Sequence, residues 1–392
     1  MKIGIFGGTF NPVHNGHMNL AECYKEKLQL DKIIFIPTAT PPHKVAEDLA
    51  DDGVRLDMLK LALKDKKDFE ISDAELLRKG KSYTFDTVSQ YKEEHPDDEV
   101  YLIIGSDMFL TFHEWYRYRD ILSMVTLCSA SRENEITVDE MEQYAEETLK
   151  ADKSRCIISD FPVKIVSSSE VRKRIYNGED FSDLVPSEVY KYILENGVYF
   201  KSKNEQYRQL VSSRLSSYRA NHSFCVAESA VELCERFGGD KEKAYVAGLL
   251  HDVMKEEDNN TQLQYMQKVG IIVSTLEKMS PKLYHAISGA AYCRFVLCID
   301  DDEIISAIRY HTTGKQNMSQ LEKIIFLADF ISADRSYDDI EVIRDKAKKS
   351  LDEAILYGVQ YTIKELADKE APIHEDTLAL YNQLTLDRKR QG

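Results

Sequence analysis

Short β-branched and aliphatic runs alternate with amphipathic stretches along the first half of the chain. Lys2–Phe6, Lys32–Pro37, Phe69–Ser72, Val100–Gly105 and Val125–Ala130, with a further short run near Val163–Val166, predict strands. Between them, Met18–Leu30, Val54–Leu63 and Thr84–Glu94 carry apolar positions at helical spacing. Val- and Ile-rich runs separated by helices predict a parallel sheet covered on both faces, a doubly wound α/β arrangement. Beyond Asn196-Gly197 the pattern changes. The polar stretch Lys201-Ser-Lys-Asn-Glu-Gln reads as a linker, and after it apolar residues recur at three and four spacings in Ser223–Phe237, Lys241–Val253, Leu283–Val296 and Gln320–Ile331. An all-α unit is therefore expected there. A chain of 392 residues exceeds one ordinary core, and the division expected is 1–201 and 205–392. No repeat or low-complexity tract interrupts either part.

Composition narrows the partners. The formal net charge is -16, from 67 acidic against 51 basic residues, which argues against a protein that coats nucleic acid, since such binding draws on clustered Lys and Arg. Seven cysteines stand singly with no CxxC pair, as expected of reduced thiols rather than a disulfide framework. The chain opens on a strand pattern, MKIGIFGG, with no export segment before it, and no apolar run has the length of a membrane span. A cytoplasmic location is expected, and homo-oligomer formation is left open.

The sharpest local signal is Gly7-Gly8-Thr9-Phe10-Asn11-Pro12-Val13-His14-Asn15-Gly16-His17, between the first strand and the first helix. Glycines at a strand exit let backbone approach a phosphate closely, and the following helix offers N–H groups and a positive dipole end. His14 and His17, three apart at that helix start, can both face one phosphate chain. No nucleophile lies nearby, which fits in-line phosphoryl transfer driven by positioning and charge stabilisation. The string resembles the nucleotidyltransferase superfamily marked by HxGH, whereas the GxGxxG of a plain dinucleotide fold is absent.

Further motifs narrow the resemblance to the bacterial nicotinate-nucleotide adenylyltransferase family over roughly residues 1–200. Pro41-Pro42-His43-Lys44 is similar to its substrate-loop lysine, Lys81-Ser-Tyr-Thr84-Phe-Asp-Thr87 to its SYTxDT segment, and Gly105-Ser106-Asp107 to its GSD motif. The lone tryptophan, Trp115, falls where the family stacks an aromatic ring on a pyridine. Ser167-Ser168-Ser169-Glu170-Val171-Arg172 resembles its ISSTxIR signature, with Ser169 where Thr is common. The resemblance implies that Gly7, Gly8, Thr9 and Phe10, with Lys44, Thr84, Gly105, Asp107, Trp115 and Ser167 to Ser169, bind the nucleotides. His14, His17 and Arg172 would stabilise the triphosphate of ATP, assisted by Mg2+. The nicotinate mononucleotide phosphate would attack the α-phosphorus, giving deamido-NAD and pyrophosphate.

In the helical half, His222, the doublet His251-Asp252, His285, His311 and Asp329 stand on separate helical segments. Four imidazoles and two carboxylates suit first-row transition metals, and Asp252 can bridge two ions. Zinc-finger and HExxH spacings are absent. The set resembles the HD superfamily of metal-dependent phosphohydrolases. Tyr218-Arg219-Ala-Asn-His222-Ser, His251-Asp-Val-Met-Lys255, His285-Ala-Ile-Ser-Gly289 and His311-Thr312-Thr-Gly314 are similar more closely to the HD-domain symmetrical dinucleoside-tetraphosphatases. That family implies a dinuclear centre, often iron, and cleavage of diadenosine tetraphosphate to two ADP. Arg219 and Lys255 would be phosphate-side cations, with Asp252 and Lys255 catalytic and Thr312 and Gly314 shaping the pocket floor.

Covalent linkage of the two motif sets suggests a house-cleaning partnership, in which the second half removes the dinucleotide formed when adenylyl transfer misfires onto ATP. Two other readings stay open. One is an adenylyltransferase for another acceptor, nicotinamide mononucleotide or phosphopantetheine, joined to an HD phosphodiesterase; Trp115 favours a flat pyridine over it. The other is a nucleotide sensor whose HD half binds without turnover; retention of all six candidate ligands argues against it.

Overall fold

The computed structural model describes residues 1–38, 49–78, 83–131, 136–152, 154–161 and 166–391. It divides into two compact units, Met1–Ile193 with Gly197–Lys201, and Leu194–Asn196 with Ser202–Gly392.

The first unit is built on a parallel sheet of strands β1 (Lys2–Gly8), β2 (Lys32–Pro37), β3 (Phe69–Ile71), β4 (Glu99–Ile103), β5 (Thr126–Ala130) and β6 (Cys156–Ser159), in the order β3-β2-β1-β4-β5-β6. The central strand β1 is buried continuously from Ile3 to Phe6, because helices cover both faces. Gly4 lets the layers close up: a Cβ there would stand 2.9 Å from the Ile33 side chain. The chain runs outward from β1 through β2 to β3, then returns to β4 beside β1. The carboxyl ends of β1 and β4 therefore flank the point where strand order reverses, where open α/β sheets bind ligands. The sixth strand, CIIS, is not the one expected near Val163–Val166; residues 163–165 lie outside the described residues, and Val166 is not in a strand.

The second unit is all helical. Its first helix, Lys203–Arg214, begins inside the polar stretch read as a linker. The Ser202 hydroxyl accepts the Glu205 N–H at 3.2 Å, a cap that lets a charged sequence start a helix. Helices Ser217–Phe237 and Lys241–Leu250 pack tightly at Gly248, where a Cβ would meet the Ala227 Cα at 2.8 Å. That contact carries His222 and His251 to a ring-centroid separation of 5.3 Å. Among the described residues no helix is long and apolar enough to cross a membrane.

Candidate functional sites

At the strand-order reversal the first unit opens a cavity of about 360 Å³. It is lined by Gly7, Gly8, Thr9, His14 and His17 after β1, by Gly105, Ser106 and Asp107 after β4, by Thr84 and Trp115, and by Ser167, Ser168, Ser169 and Arg172. The structure thus gathers the expected residues of this half, except Phe10 and Lys44. Phe10 is 1% exposed, and its ring packs edge-on to Phe6 and to His17, at 5.7 and 5.0 Å. The ring is a wedge under the turn, and the backbone takes φ 48°, which swings the chain from β1 toward the helix. Lys44 lies outside the described residues.

The two histidines cap the helix Asn15–Leu28 reciprocally. The His17 amide donates to His14 Nδ1 at 3.3 Å, and the His14 amide to His17 Nδ1 at 3.2 Å, so the rings stack with centroids 3.6 Å apart. An imidazole nitrogen that accepts a hydrogen bond carries no proton, so each neutral ring bears its N–H at Nε2. The cap therefore fixes two parallel donors on one side of a cavity at a helix N-terminus, which is an anion site.

The turn is held from behind by expected residues and by two that spacing did not reveal, Arg55 and Tyr199. Arg55, fully buried, donates to the Thr9 carbonyl at 2.6 Å, and Arg172 donates to the Asn11 carbonyl at 2.7 Å. The Tyr199 hydroxyl donates to Asn11 Oδ1 at 2.8 Å, and the Ser168 hydroxyl to the Pro12 carbonyl at 2.9 Å. Ser167 caps the helix Ser168–Asn177, accepting the Glu170 N–H.

In the second unit His222, His251, Asp252, His285 and His311 are each 3% exposed or less, and Asp329 joins them. His285 Nε2 lies 3.2 Å from Asp252 Oδ1 and 3.2 Å from His311 Nε2, while His222 Nε2 is 3.0 Å from Asp329 Oδ1. One device orients two of the rings. His251 and His311 each stand where a helix ends, and each Nδ1–H donates at 2.7 Å to the carbonyl three residues back, Gly248 and Ile308. Their Nε2 lone pairs then point inward, and His251 Nε2 is buried with no hydrogen-bond partner. An inward His251 lone pair with no hydrogen-bond partner, beside two carboxylates, fits a divalent metal ion.

Electrostatics keep His251, His285, Asp252 and Asp329 in ligand form. Burial holds both His251 and His285 at about 4, so both are neutral near pH 7. Burial alone would lift Asp252, yet the His251, His285 and His311 imidazoles hold it well below the usual carboxylate range. Burial likewise opposes ionisation of Asp329, and His222, His251 and Arg335 overcome it. Asp252 shares one triad with His222 and His251 and another with His285 and His311, the placement a bridging carboxylate needs.

Arg219 stands 3.6 Å and Lys255 3.5 Å from the Asp252 carboxylate, and Lys255 Nζ is 2.9 Å from His285 Nε2. Gly314, three residues after His311, takes φ 62°, and Leu380 and Phe326 occupy the space where a Cβ would point. Two neighbours escaped the sequence reading. Asp334 Oδ2 accepts from His222 Nδ1 at 2.8 Å, completing a carboxylate–imidazole relay that fixes the ring with Nε2 inward, and Arg335 bonds the Asp329 carboxylate. Asp334→Asn keeps shape but removes charge behind the ligand. Mn2+ affinity, followed by titration calorimetry, is expected to fall about 10- to 100-fold.

Fold and sites together define the class: a nucleotidyltransferase unit with an HxGH phosphate turn, followed by a helical unit with a His/Asp metal set. The cytidylyltransferase-like family model matches residues 5–174 and the HD-domain model residues 219–334. Over 200 residues the chain is 40% identical to a probable nicotinate-nucleotide adenylyltransferase of Clostridium tetani, spanning 50% of this chain and 98% of that protein. Over 181 residues it is 40% identical to a symmetrical bis(5'-nucleosyl)-tetraphosphatase of Halalkalibacterium halodurans, spanning 46% of this chain and 96% of that protein. A solved HD superfamily hydrolase of Clostridium acetobutylicum, described as involved in NAD metabolism, aligns at TM-score 0.47 with 31% identity over 47% of this chain and 98% of that one. The chain belongs to the nicotinate-nucleotide adenylyltransferase family through its N-terminal half and carries an HD domain in its C-terminal half.

Proposed function

We propose that the chain is bifunctional: the first unit transfers an adenylyl group from ATP to nicotinate mononucleotide, and the second cleaves diadenosine tetraphosphate into two ADP. For the first, the acceptor's phosphate oxygen forms a bond to the α-phosphorus as the bond to the β-phosphate oxygen breaks, and pyrophosphate leaves. The observation that carries this reading is the reciprocal cap, which fixes two imidazoles in the cavity lining, where their Nε2–H donors would meet the triphosphate that Mg2+ accompanies as part of the substrate. Arg172, already fixed on the Asn11 carbonyl, adds a charged donor, and Trp115 offers a face to the pyridine. Neither histidine accepts the acceptor's proton, because its phosphate is ionised at neutral pH.

For the second, His222, His251, Asp252, His285, His311 and Asp329 would hold two divalent ions, iron or another first-row metal, which supply Lewis-acid polarisation of the phosphates and an activated water. Arg219 and Lys255 orient the chain from the Asp252 side. Water oxygen bonds to one inner phosphorus and the central bridging oxygen leaves with the other ADP. The inward, unpartnered Nε2 of His251 carries this reading.

Two assays test the pair. ATP with nicotinate or nicotinamide mononucleotide is expected to yield dinucleotide with the acid at least about tenfold faster. Diadenosine tetraphosphate with Fe2+ or Mn2+ is expected to yield ADP alone; ATP plus AMP among the products, or no turnover by metal-loaded protein, overturns the second activity.

A further inference from the structure

Asn11, in the middle of the phosphate turn, is held through both its main chain and its side chain. Its carbonyl accepts from Arg172 Nη1 at 2.7 Å, and its side-chain oxygen accepts the Ala50 N–H at 3.0 Å and the Tyr199 hydroxyl at 2.8 Å. Ala50 is itself fixed, because Arg55 Nε donates to its carbonyl at 3.1 Å while Nη1 of the same buried guanidinium holds the Thr9 carbonyl. Asn11 is buried, so these contacts stand in place of water. Arg172 lines the cavity with one nitrogen committed to Asn11. A guanidinium is a rigid planar fork, so the position of the Asn11 carbonyl fixes where the other N–H groups of Arg172 face.

Tyr199 reaches this hub from 188 positions along the chain, out of the Gly197–Lys201 stretch that belongs to the first unit. Its backbone takes φ 69°, the left-handed region in which a side chain crowds the following carbonyl. Residues other than glycine keep such a conformation where their surroundings hold them, and they gather at functional sites. The contact that Tyr199 makes from there needs its hydroxyl and not only its ring, since phenylalanine would fill the same space without reaching Asn11. Burial pushes ionisation of that hydroxyl up, against the pull of the Arg172 and Arg55 guanidinia, so it keeps its proton and remains a donor at neutral pH. Tyr199 stands behind the turn, outside the cavity lining.

We propose that Tyr199 is a positioning residue of the triphosphate site: through the Asn11 side chain it sets the Asn11 carbonyl, and through that carbonyl the direction in which Arg172 meets the phosphates of ATP. Tyr199 touches no substrate and moves no proton. Its effect reaches the nucleotide only through Arg172, so it acts on the phosphate chain and not on the nucleoside. This rests on the adenylyltransferase reading of the first unit.

The test uses the full chain in parent, Tyr199→Phe, Arg172→Ala and doubly substituted forms. Calorimetry with Mg2+ present measures affinity for the ATP analogue whose α,β-bridging oxygen is a methylene, and for adenosine, which carries no phosphate. Melting temperatures are read on the same samples, and phenylalanine keeps the ring in place. Losing one hydroxyl donor is expected to weaken the analogue about 3- to 10-fold in Tyr199→Phe, with adenosine changed less than about twofold. In the Arg172→Ala background the same substitution is expected to change the analogue's affinity less than about twofold, because the contact through which Tyr199 acts is gone. Parental affinity for the analogue in Tyr199→Phe, equal losses for analogue and adenosine, or the same loss in both backgrounds would overturn the proposal, the last by showing that Tyr199 acts without Arg172. If the proteins show this coupling but the parent makes no dinucleotide from ATP and either mononucleotide, the inference stands and the adenylyl-transfer reading falls.

Discussion

Replacing His251 by alanine is expected to lower hydrolysis of diadenosine tetraphosphate by about 10³-fold or more and to leave adenylyl transfer at the parental rate. His251 belongs to two of the three ligand triads, so its loss weakens both ion positions at once. Metal polarisation is worth several kcal/mol of transition-state stabilisation, and about 4 kcal/mol corresponds to 10³-fold. The structural cost is smaller. The Gly248 carbonyl loses its Nδ1–H donor and a buried ring becomes a void, together about 1 to 3 kcal/mol. Asp252→Asn, which keeps volume, controls for it: a folded protein that binds fewer ions and hydrolyses as slowly locates the effect in the metal set. A nucleotide sensor without turnover would show no rate to lose. The same variant examines the house-cleaning hypothesis, motivated by the linkage of the two motif sets in one chain. Chromatography of a turnover mixture with ATP in excess is expected to show diadenosine tetraphosphate accumulating in the variant and not in the parent; equal amounts would remove that reason for joining the units.

The residues that the structure gathers into the cavity and the His/Asp cluster from sequence-contiguous motifs were legible, because glycine-rich turns, paired imidazoles and an HD doublet are dictated by local chemistry. Strands β1, β2 and β4 were legible for a related reason: burial on both faces leaves a run rich in Ile and other apolar residues that no helix spacing imitates. β6 was not, since CIIS is four residues long and sits at the sheet edge, too short to display a period. The helix Lys203–Arg214 was hidden by its polarity; its cap, Ser202 to Glu205, is a sequence signal that the surrounding charges outweighed. What stayed out of reach is what acts through space. Asp334 lies 112 positions from the His222 it orients, and Arg55 lies 46 from the Thr9 carbonyl it holds. Neither belongs to a spacing that chemistry requires, so no pattern distinguishes either from an ordinary surface charge. Phe10 lies inside the same glycine-rich motif, and what the pattern did not show is that its ring packs under the turn.

His17→Ala is expected to lower adenylyl transfer by about 10²- to 10³-fold with hydrolysis by the HD set unchanged. Removing one preorganised donor from developing oxyanion charge costs about 2.7 to 4 kcal/mol, which is that range. His17 has a second task, however, since its Nδ1 accepts the His14 amide and its ring stacks on His14. Losing a cap partner costs about 1 kcal/mol and loosens the neighbouring ring, so a fall in rate with alanine alone could come from either task. His17→Asn separates them. Its side-chain oxygen can take over the His14 amide as a capping residue does, but its short amide cannot reach where Nε2 points. If the donor is what matters, asparagine restores the melting temperature toward the parent while kcat stays as low as in alanine. Recovery of kcat together with stability would mean that His17 acts by holding the turn, and the triphosphate would then be met by His14 and Arg172 without it.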